Sequence, residues 1–513
     1  MERISNASGI PNRGKRACAV LVLCATTAIA LPAQTFALLH TFNGADGEYP
    51  FAGLVQATNG YLYGTTYAGG ANAFGVYEGT VLKMTAGGAL TTIYNFGTTA
   101  VGGDPWCGLV QATNGELYGT TSTGGVNGDG MVFRITPGGT LTTLHSFDGT
   151  DGDGPTTGLI QSTDGNLYGT TLKGGACTGP GGCGTVFKMT PGGKLTTLYS
   201  FCTQAGCIDG VSPYAGLVEG TDGNFYGTTT NGGANCFSGG GCGTVFKITP
   251  TGKLTTLYNF CSLVGCTDGA DPQAGLVRGA DGNFYGTTPY GGANIGTYQP
   301  MTGIGAGTVF KITPSGQLTT LYSFCSQAGC TDGQTPLAGL VQGTDGNFYG
   351  TTAYGGTNAA TVGSFGAGTL FKITATGTLT PLHTFCAQAA CADGEYPMAG
   401  LVQNTNGEFY GTAELGGANC APDGCGTVFS LSVGLGAFVE TQTTSGKVGT
   451  AVTILGTNLK GATSVTFNGT PADFTVVSAS EITTTVPTGA STGTVQVVTP
   501  RRTLSSNMAF RVP

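Results

Sequence analysis

The sequence predicts an all-β protein: a seven-bladed β-propeller closed by its own N-terminal strand, with a smaller β domain behind it. Three observations predict this. One unit recurs seven times at spacings of 50 to 64 residues. Each copy holds four strand candidates separated by turn residues. The last copy lacks a strand that the N-terminus can supply.

The unit is anchored on Gly53-Leu54-Val55-Gln56, then Asn59-Gly60, then Leu62-Tyr63-Gly64-Thr65. Further copies begin at Gly108, Gly158, Gly216, Gly275, Gly339 and Gly400. In the fourth copy the strand candidates are 216–219, 224–229, 243–249 and 254–260, rich in Val, Thr, Tyr, Phe and Ile. Asn-Gly or Asp-Gly joins the first two strands in all seven copies, as at Asn114-Gly115 and Asp222-Gly223. That dipeptide supplies the positive φ of a tight hairpin. Short turns such as Pro191-Gly192-Gly193 join the third and fourth strands.

After 426–431 the seventh copy has no Leu-Thr-Thr-Leu-Tyr strand; a match stands at 36–42 instead. Ring closure follows, with the N-terminal strand outermost in the last blade and no open sheet edge left. A solenoid would need caps at both ends, and none is visible. The short turns then share one face. The long, variable connections (67–78, 289–306, 353–367, 202–213, 386–397) share the other, where binding on a rigid frame usually sits.

Ninety-four glycines with 9% charged and 40% hydrophobic residues suit a turn-rich β fold and exclude a disordered chain. Arg3, Arg13, Lys15 and Arg16 precede an apolar run from Ala17 to Leu31, and Ala33 ends a cleavable site. Residues 1–33 therefore read as a secretory signal, and the protein as secreted or surface-exposed. The run is short for a membrane span, and nothing later replaces it. Leu23 before Cys24 speaks against a lipoprotein site. The mature chain would carry 15 basic and 26 acidic groups, a net charge of −11, which excludes a nucleic-acid partner.

The consensus Gly-Leu-Val-x-x-Thr-(Asn/Asp)-Gly-x-(Leu/Phe)-Tyr-Gly-Thr-Thr, followed by Gly-Thr-Val-Phe-Lys-Ile-Thr-Pro, resembles the GloVer tandem repeat of bacterial exported proteins over residues 36 to 432. The shorter Asp-Gly-Asn-Phe-Tyr-Gly-Thr piece is similar to propeller repeats of hybrid two-component sensors. The GloVer resemblance implies a surface or secreted protein with variable C-terminal attachments, and brings no catalytic residues with it.

Of 17 cysteines, Cys18 and Cys24 fall in the leader. Fourteen others form close pairs in the long loops: Cys177/Cys183, Cys202/Cys207, Cys236/Cys242, Cys261/Cys266, Cys325/Cys330, Cys386/Cys391 and Cys420/Cys425. In an exported chain these read as local disulfides, although neighbouring loops can exchange partners. Zinc is the competing reading, but four or five residues separate each pair and no histidine lies in these loops. Cys107 fills the slot of Ala52, Ala215, Ala274, Ala338 and Ala399, and so reads as a small buried residue rather than a reactive thiol.

No catalytic constellation emerges. His40, His145 and His383 occupy the outer-strand slot that holds Tyr94, Tyr199, Tyr258 and Tyr322 elsewhere, which points to packing. Propeller sialidases need clustered arginines, and only Arg134 and Arg278 lie in the repeats. Quinone-dependent propeller enzymes carry repeated tryptophans, and Trp106 is alone. Asp-Gly-x-x-Pro recurs in the blade-to-blade loops at Asp46, Asp209, Asp268, Asp332 and Asp393, with variants near Asp104 and Asp151. Such repetition suits a structural turn. The sharper reading is calcium, with Asp148, Asp151 and Asp153 the densest cluster, though the full calcium-loop pattern is missing. No other cofactor is expected. The same face carries Tyr49, Trp106, Tyr214, Tyr290, Tyr298, Tyr354 and Tyr396, which either pack the loops or stack on a glycan.

Repetition stops near Leu431, and 433–437 reads as a linker. Strand candidates follow at 451–456, 464–467, 474–478, 481–486 and 493–499. Gly446-Lys447-Val448-Gly449-Thr450, Gly456-Thr457-Asn458-Leu459, Val465-Thr466-Phe467-Asn468-Gly469 and Ile482-Thr483-Thr484-Thr485-Val486-Pro487 resemble an IPT/TIG domain over 438–513. That resemblance implies an immunoglobulin-like sandwich, usually a spacer or protein-binding module. The leading expectation is a non-enzymatic binding or adhesion protein that offers its loop face (Asp148, Asp151, Asp153, Trp106, Tyr214, Tyr290, Tyr354, Tyr396) to a polysaccharide or surface protein. A polysaccharide-active enzyme using loop carboxylates, and a purely structural envelope component, stand as alternatives. The oligomeric state is not readable.

Overall fold

A computed structural model of the chain describes residues 34–71, 78–97, 102–177, 182–235, 242–297, 305–358, 365–420 and 422–513. The expected leader, Cys236 and Tyr298 lie outside these residues. Among the described residues, strands form nine four-stranded antiparallel sheets: seven blades and the two sheets of the C-terminal domain. The first blade runs outward as Val55–Gln56, Leu62–Thr66, Thr80–Met84 and Leu90–Asn95. The seventh is closed by Thr35–Thr41, which pairs with Thr427–Ser432, Thr35 opposite Ser432 and Thr41 opposite Thr427.

Why the consensus reads as it does follows from where each strand lies. The second strand (Leu/Phe-Tyr-Gly-Thr-Thr) is buried along its whole length, because neighbouring blades cover both of its faces. Its tyrosine meets the aromatic of the next blade's second strand, Tyr168 on Phe225 at 4.0 Å and Tyr349 on Phe409 at 4.2 Å between ring centroids. Its glycine leaves room for the third-strand phenylalanine: a Cβ on Gly227 would lie 2.6 Å from the Phe246 ring. Its first threonine donates to the next blade, Thr228 to the Ala274 carbonyl at 3.2 Å and Thr65 to the Cys107 carbonyl at 2.9 Å. The slot of Ala52 and Cys107 is therefore small because it packs beneath a neighbour. Cys107 is buried, and burial pushes its thiol up to about 12, which keeps it protonated and inert.

A ring of side-chain-to-amide bonds ties the blades together near the axis. Gln111 Oε1 accepts the Thr58 N–H at 2.8 Å, Gln161 the Thr113 N–H at 2.8 Å, and Glu219 Oε2 the Thr163 N–H at 3.3 Å. Gln342 accepts from Ala280 at 2.9 Å and Gln403 from Thr344 at 3.1 Å. Gln56 accepts from Thr405 at 2.8 Å, which carries the ring across the closure. One junction departs: Arg278 stands where the others have Gln or Glu.

The C-terminal domain is an immunoglobulin-like sandwich. One sheet orders Glu440–Thr441, Ala451–Leu455, Glu481–Thr485 and Phe474–Val476; the other orders Thr470–Ala472, Ser464–Phe467, Val495–Val498 and Thr503–Ser505. Its core includes Ile454, Val465, Phe467, Ile482, Val497 and Phe510. Residues 433–437 are not a free tether: Val433 and Leu435 pack against the core of the seventh blade. Among the described residues no helix is long and apolar enough to cross a membrane.

Candidate functional site

The two faces of the ring are built differently, and the difference locates the site. On the short-turn face the C-terminal domain sits over the axis. Ser480 donates to the Thr58 carbonyl at 2.6 Å, Asn507 to the Gln342 carbonyl at 3.0 Å, and the Phe438 N–H to the Thr405 carbonyl at 3.0 Å. The hydroxyls of Thr405 and Thr457 meet at 2.8 Å, Gln442 Nε2 reaches Gln111 Oε1 at 3.4 Å, and Arg511 donates to the Thr221 carbonyl. Ile160 and Val277 line cavities beneath Met508, so the turns of every blade border this domain.

On the long-loop face each blade is entered through a residue in the left-handed region immediately before a proline. Tyr49, Asp104, Gly154, Ser212, Asp271, Thr335 and Tyr396 have φ between 53° and 59°. This conformation is costly for a non-glycine residue, and more so before proline. It persists because five of these residues staple two blades through both N–H and carbonyl, with Asp104 using only its carbonyl and Asp271 only its N–H among the described residues. The Tyr396 N–H bonds the Ala367 carbonyl of the preceding blade at 3.0 Å, and its carbonyl accepts the Glu414 N–H at 3.1 Å. Thr335 repeats the pattern between Ala306 and Ala353.

The outer-strand tyrosine or histidine and the loop aspartate form a pair in six blades. His40, His145 and His383 meet Asp46, Asp151 and Asp393 at 3.0, 2.7 and 3.1 Å. Tyr199, Tyr258 and Tyr322 donate to Asp209, Asp268 and Asp332 at 2.7, 2.8 and 2.7 Å. The histidines thus substitute for a tyrosine hydroxyl as loop anchors. Four of these loops close with disulfides, Cys202–Cys207, Cys261–Cys266, Cys325–Cys330 and Cys386–Cys391, each around a short 3-10 turn. Cys177–Cys183 and Cys420–Cys425 close loops between second and third strands.

Cys242 also has a main-chain role. Its expected disulfide partner, Cys236, lies outside the described residues. Cys242 is buried at 3% exposure, and its carbonyl accepts the Asp271 N–H at 3.0 Å. Cys242 therefore holds the staple position of Ala306 and Ala367, where the main chain joins one blade to the next. Such a role is compatible with a disulfide, because Cys183 and Cys425 accept the same staple bond while also closing a loop.

The calcium candidates do not assemble. Asp148 Oδ1 accepts the Thr150 N–H at 2.9 Å, the Thr150 hydroxyl at 2.6 Å and the Asp151 N–H at 3.2 Å. Asp151 returns a bond to the Asp148 N–H at 3.1 Å and holds His145. Asp153 lies near Asp129 instead, and its carboxyl is raised by burial and by that neighbour. The three carboxylates form no common ligand set, because two of them lock their own turn.

The aromatics divide. Trp106 stacks on Phe51 at 4.6 Å and meets Tyr67 edge-on at 4.9 Å. Tyr214, two blades further round the ring, lies close to the Trp106 indole. The cluster therefore reaches over the blade between, whose equivalent residue is only Thr156. Burial pushes the Tyr214 hydroxyl up to about 12, and Asp271 is close enough to add to that. Asp271 is itself raised to about 6 by burial, against a hydrogen bond from Gln273 at 3.2 Å. Tyr290 and Tyr354 stay half-buried. Tyr396 is a correction to the sequence reading: at 7% exposure it packs against Tyr354 and offers no stacking surface. The sequence also missed Phe51, Tyr67, Asp271 and Glu414. Burial and the fully buried Glu395 raise Glu414 to about 7. A proline following each blade-entry residue was the available signal for Phe51 and Asp271; Glu414 had none.

Several known proteins are similar to this chain. The Gloeobacter/Verrucomicrobia repeat matches residues 26–236, 75–299 and 239–471, and the IPT/TIG domain matches 438–512. No curated protein matches it. Among solved structures, one similar chain is the extracellular domain assigned to a hybrid two component system of B. thetaiotaomicron, at 14% identity and TM-score 0.46 over 93% of this chain. This chain spans 59% of that domain. A second such domain from the same organism aligns at 10% identity and TM-score 0.47, over 92% of this chain and 57% of that one. A protein assigned as a 6-phosphogluconolactonase from Bacteroides uniformis aligns at 14% identity and TM-score 0.42, over 70% of this chain and 97% of that one. With repeat matches running through all seven blades, the chain belongs to the Gloeobacter/Verrucomicrobia repeat family and ends in an IPT/TIG domain.

Proposed function

We propose that this is a secreted or cell-surface binding protein that holds a polysaccharide on its long-loop face without turning it over. The observation that carries the reading is the cluster of Phe51, Tyr67, Trp106 and Tyr214 beside Asp271, on the face that the C-terminal domain leaves free. Aromatic faces stack on sugar rings, and adjacent carboxyl groups accept their hydroxyls. The test is a glycan array probed with the chain from residue 34, with calcium and again with chelator. A hit that Trp106→Ala weakens at least about tenfold supports the reading. A blank array in both conditions, or a hit indifferent to Trp106→Ala, overturns it. Loss of signal with chelator alone would return calcium to the loop face.

One observation favours a polysaccharide-active enzyme as the second reading. Glu414, raised to about 7 beside buried Glu395, holds a proton near neutral pH as a general acid must. Release of reducing sugar by the parent protein and its loss in Glu414→Gln would support that reading over simple binding.

A further inference from the structure

The amide ring has one break. Between blades four and five the acceptor position holds Arg278, whose guanidinium has donors only. The Thr221 N–H consequently has no acceptor among the described residues, unlike its six counterparts. Arg511 of the C-terminal domain converges on the same place through its bond to the Thr221 carbonyl. Arg278 and Arg511 are near enough to repel, and Arg278 is half-buried with one long side-chain hydrogen bond among the described residues, to the Glu219 carbonyl at 3.4 Å.

No carboxylate within ion-pair distance answers Arg278 among the described residues. Glu219 is nearby, but its carboxylate is taken by the Thr163 N–H at 3.3 Å and hydroxyl at 3.1 Å. Glu440 lines the adjoining cavity with Arg278 but forms no ion pair with it. A cavity of about 430 Å³ lies between Thr221, Arg278, Arg511 and Glu219, and its rim residues Thr221 and Thr492 are exposed. One amide without an acceptor and two guanidinium groups with N–H donors to spare, at the mouth of a solvent-reached cavity, form a receptor for a negative group.

We infer that the seam between the fourth and fifth blades and the C-terminal domain binds a small carboxylate, held by Arg278, Arg511 and the Thr221 N–H. A carboxylate fits because its two oxygens match the guanidinium fork, and because it supplies the acceptor that glutamine supplies at the other junctions. The cavity has room for an acidic monosaccharide. This site is separate from the loop-face reading and stands or falls without it.

The test is thermal unfolding and calorimetric titration of the chain from residue 34 with sodium glucuronate, sodium sulfate, and sodium chloride at matched ionic strength. Saturating glucuronate should raise the unfolding midpoint by about 2 °C, and chloride should not. Arg278→Gln restores the missing acceptor, so this variant should unfold no earlier than the parent without anion and bind glucuronate at least about tenfold more weakly. Arg511→Gln should weaken binding in the same direction. A parent that ignores glucuronate, a response to sulfate alone, or an Arg278→Gln variant with the parent's response would each overturn the inference.

Discussion

The two faces of this propeller carry the same seven-fold repetition to opposite ends. On the short-turn face Asn-Gly and Asp-Gly hairpins are nearly uniform, and their amides and carbonyls are consumed by the glutamine ring and by the C-terminal domain. On the long-loop face the backbone staple repeats, whole or in part, at every blade entry while its side chains vary from Tyr to Asp, Gly, Ser and Thr. Uniformity makes a seat for another domain. Variation on a fixed backbone makes a surface with a pattern.

Four measurements break or sharpen that contrast. The largest effect comes from reducing the disulfides, which contribute about 2 kcal/mol each by restricting the unfolded chain. Hydrogen exchange should accelerate around Cys202–Cys207 and Cys386–Cys391 while the Thr58, Thr113 and Thr405 amides stay protected; uniform deprotection would erase the distinction between faces. Next, deleting residues 438–513 removes the hydrogen bonds to five blades and uncovers the apolar side chains of Val277, Val341 and Val402, at a cost of about 5 kcal/mol. Denaturant unfolding reads this, and an unchanged midpoint would mean that the domain only rests on the propeller.

A smaller, pH-dependent effect belongs to Glu414→Gln. Because the folded pKa is raised to about 7 from an ordinary 4.5, the folded chain binds more protons, so stability falls as pH rises between those values. The variant should gain about 3 kcal/mol at pH 8 and nothing at pH 4 in thermal melts; an equal gain at both would point to packing rather than charge. The smallest effect is Gln161→Ala, which leaves the Thr113 N–H unpaired and costs about 1 kcal/mol. Arg278→Gln should run in the opposite direction.

The blades and their closure were legible because periodicity is local information. Strand positions in the fourth copy shift by one or two residues between expectation and structure, as at 216–219 against Val218–Glu219. The C-terminal strands at 440–441, 470–472 and 503–505 were missed because two or three residues show no alternation. The seating of that domain was hidden for another reason: Ser480, Asn507 and Arg511 bond main-chain carbonyls, which carry no side-chain signature. Trp106 and Tyr214 lie too far apart in sequence for any local pattern to join them. The tyrosine- or histidine-to-aspartate anchors were visible as two separate slots, and only their shared geometry makes them one device.

The pairing of Thr35–Thr41 with Thr427–Ser432 also fixes an order of events. The first segment of the fold to be synthesised is the last to find its partner, since nearly four hundred residues must be made before that partner exists. Until then the growing chain is an arc that lengthens blade by blade, with an unpaired edge at its leading end. Locking is a single late step, and every truncated product of synthesis lacks it.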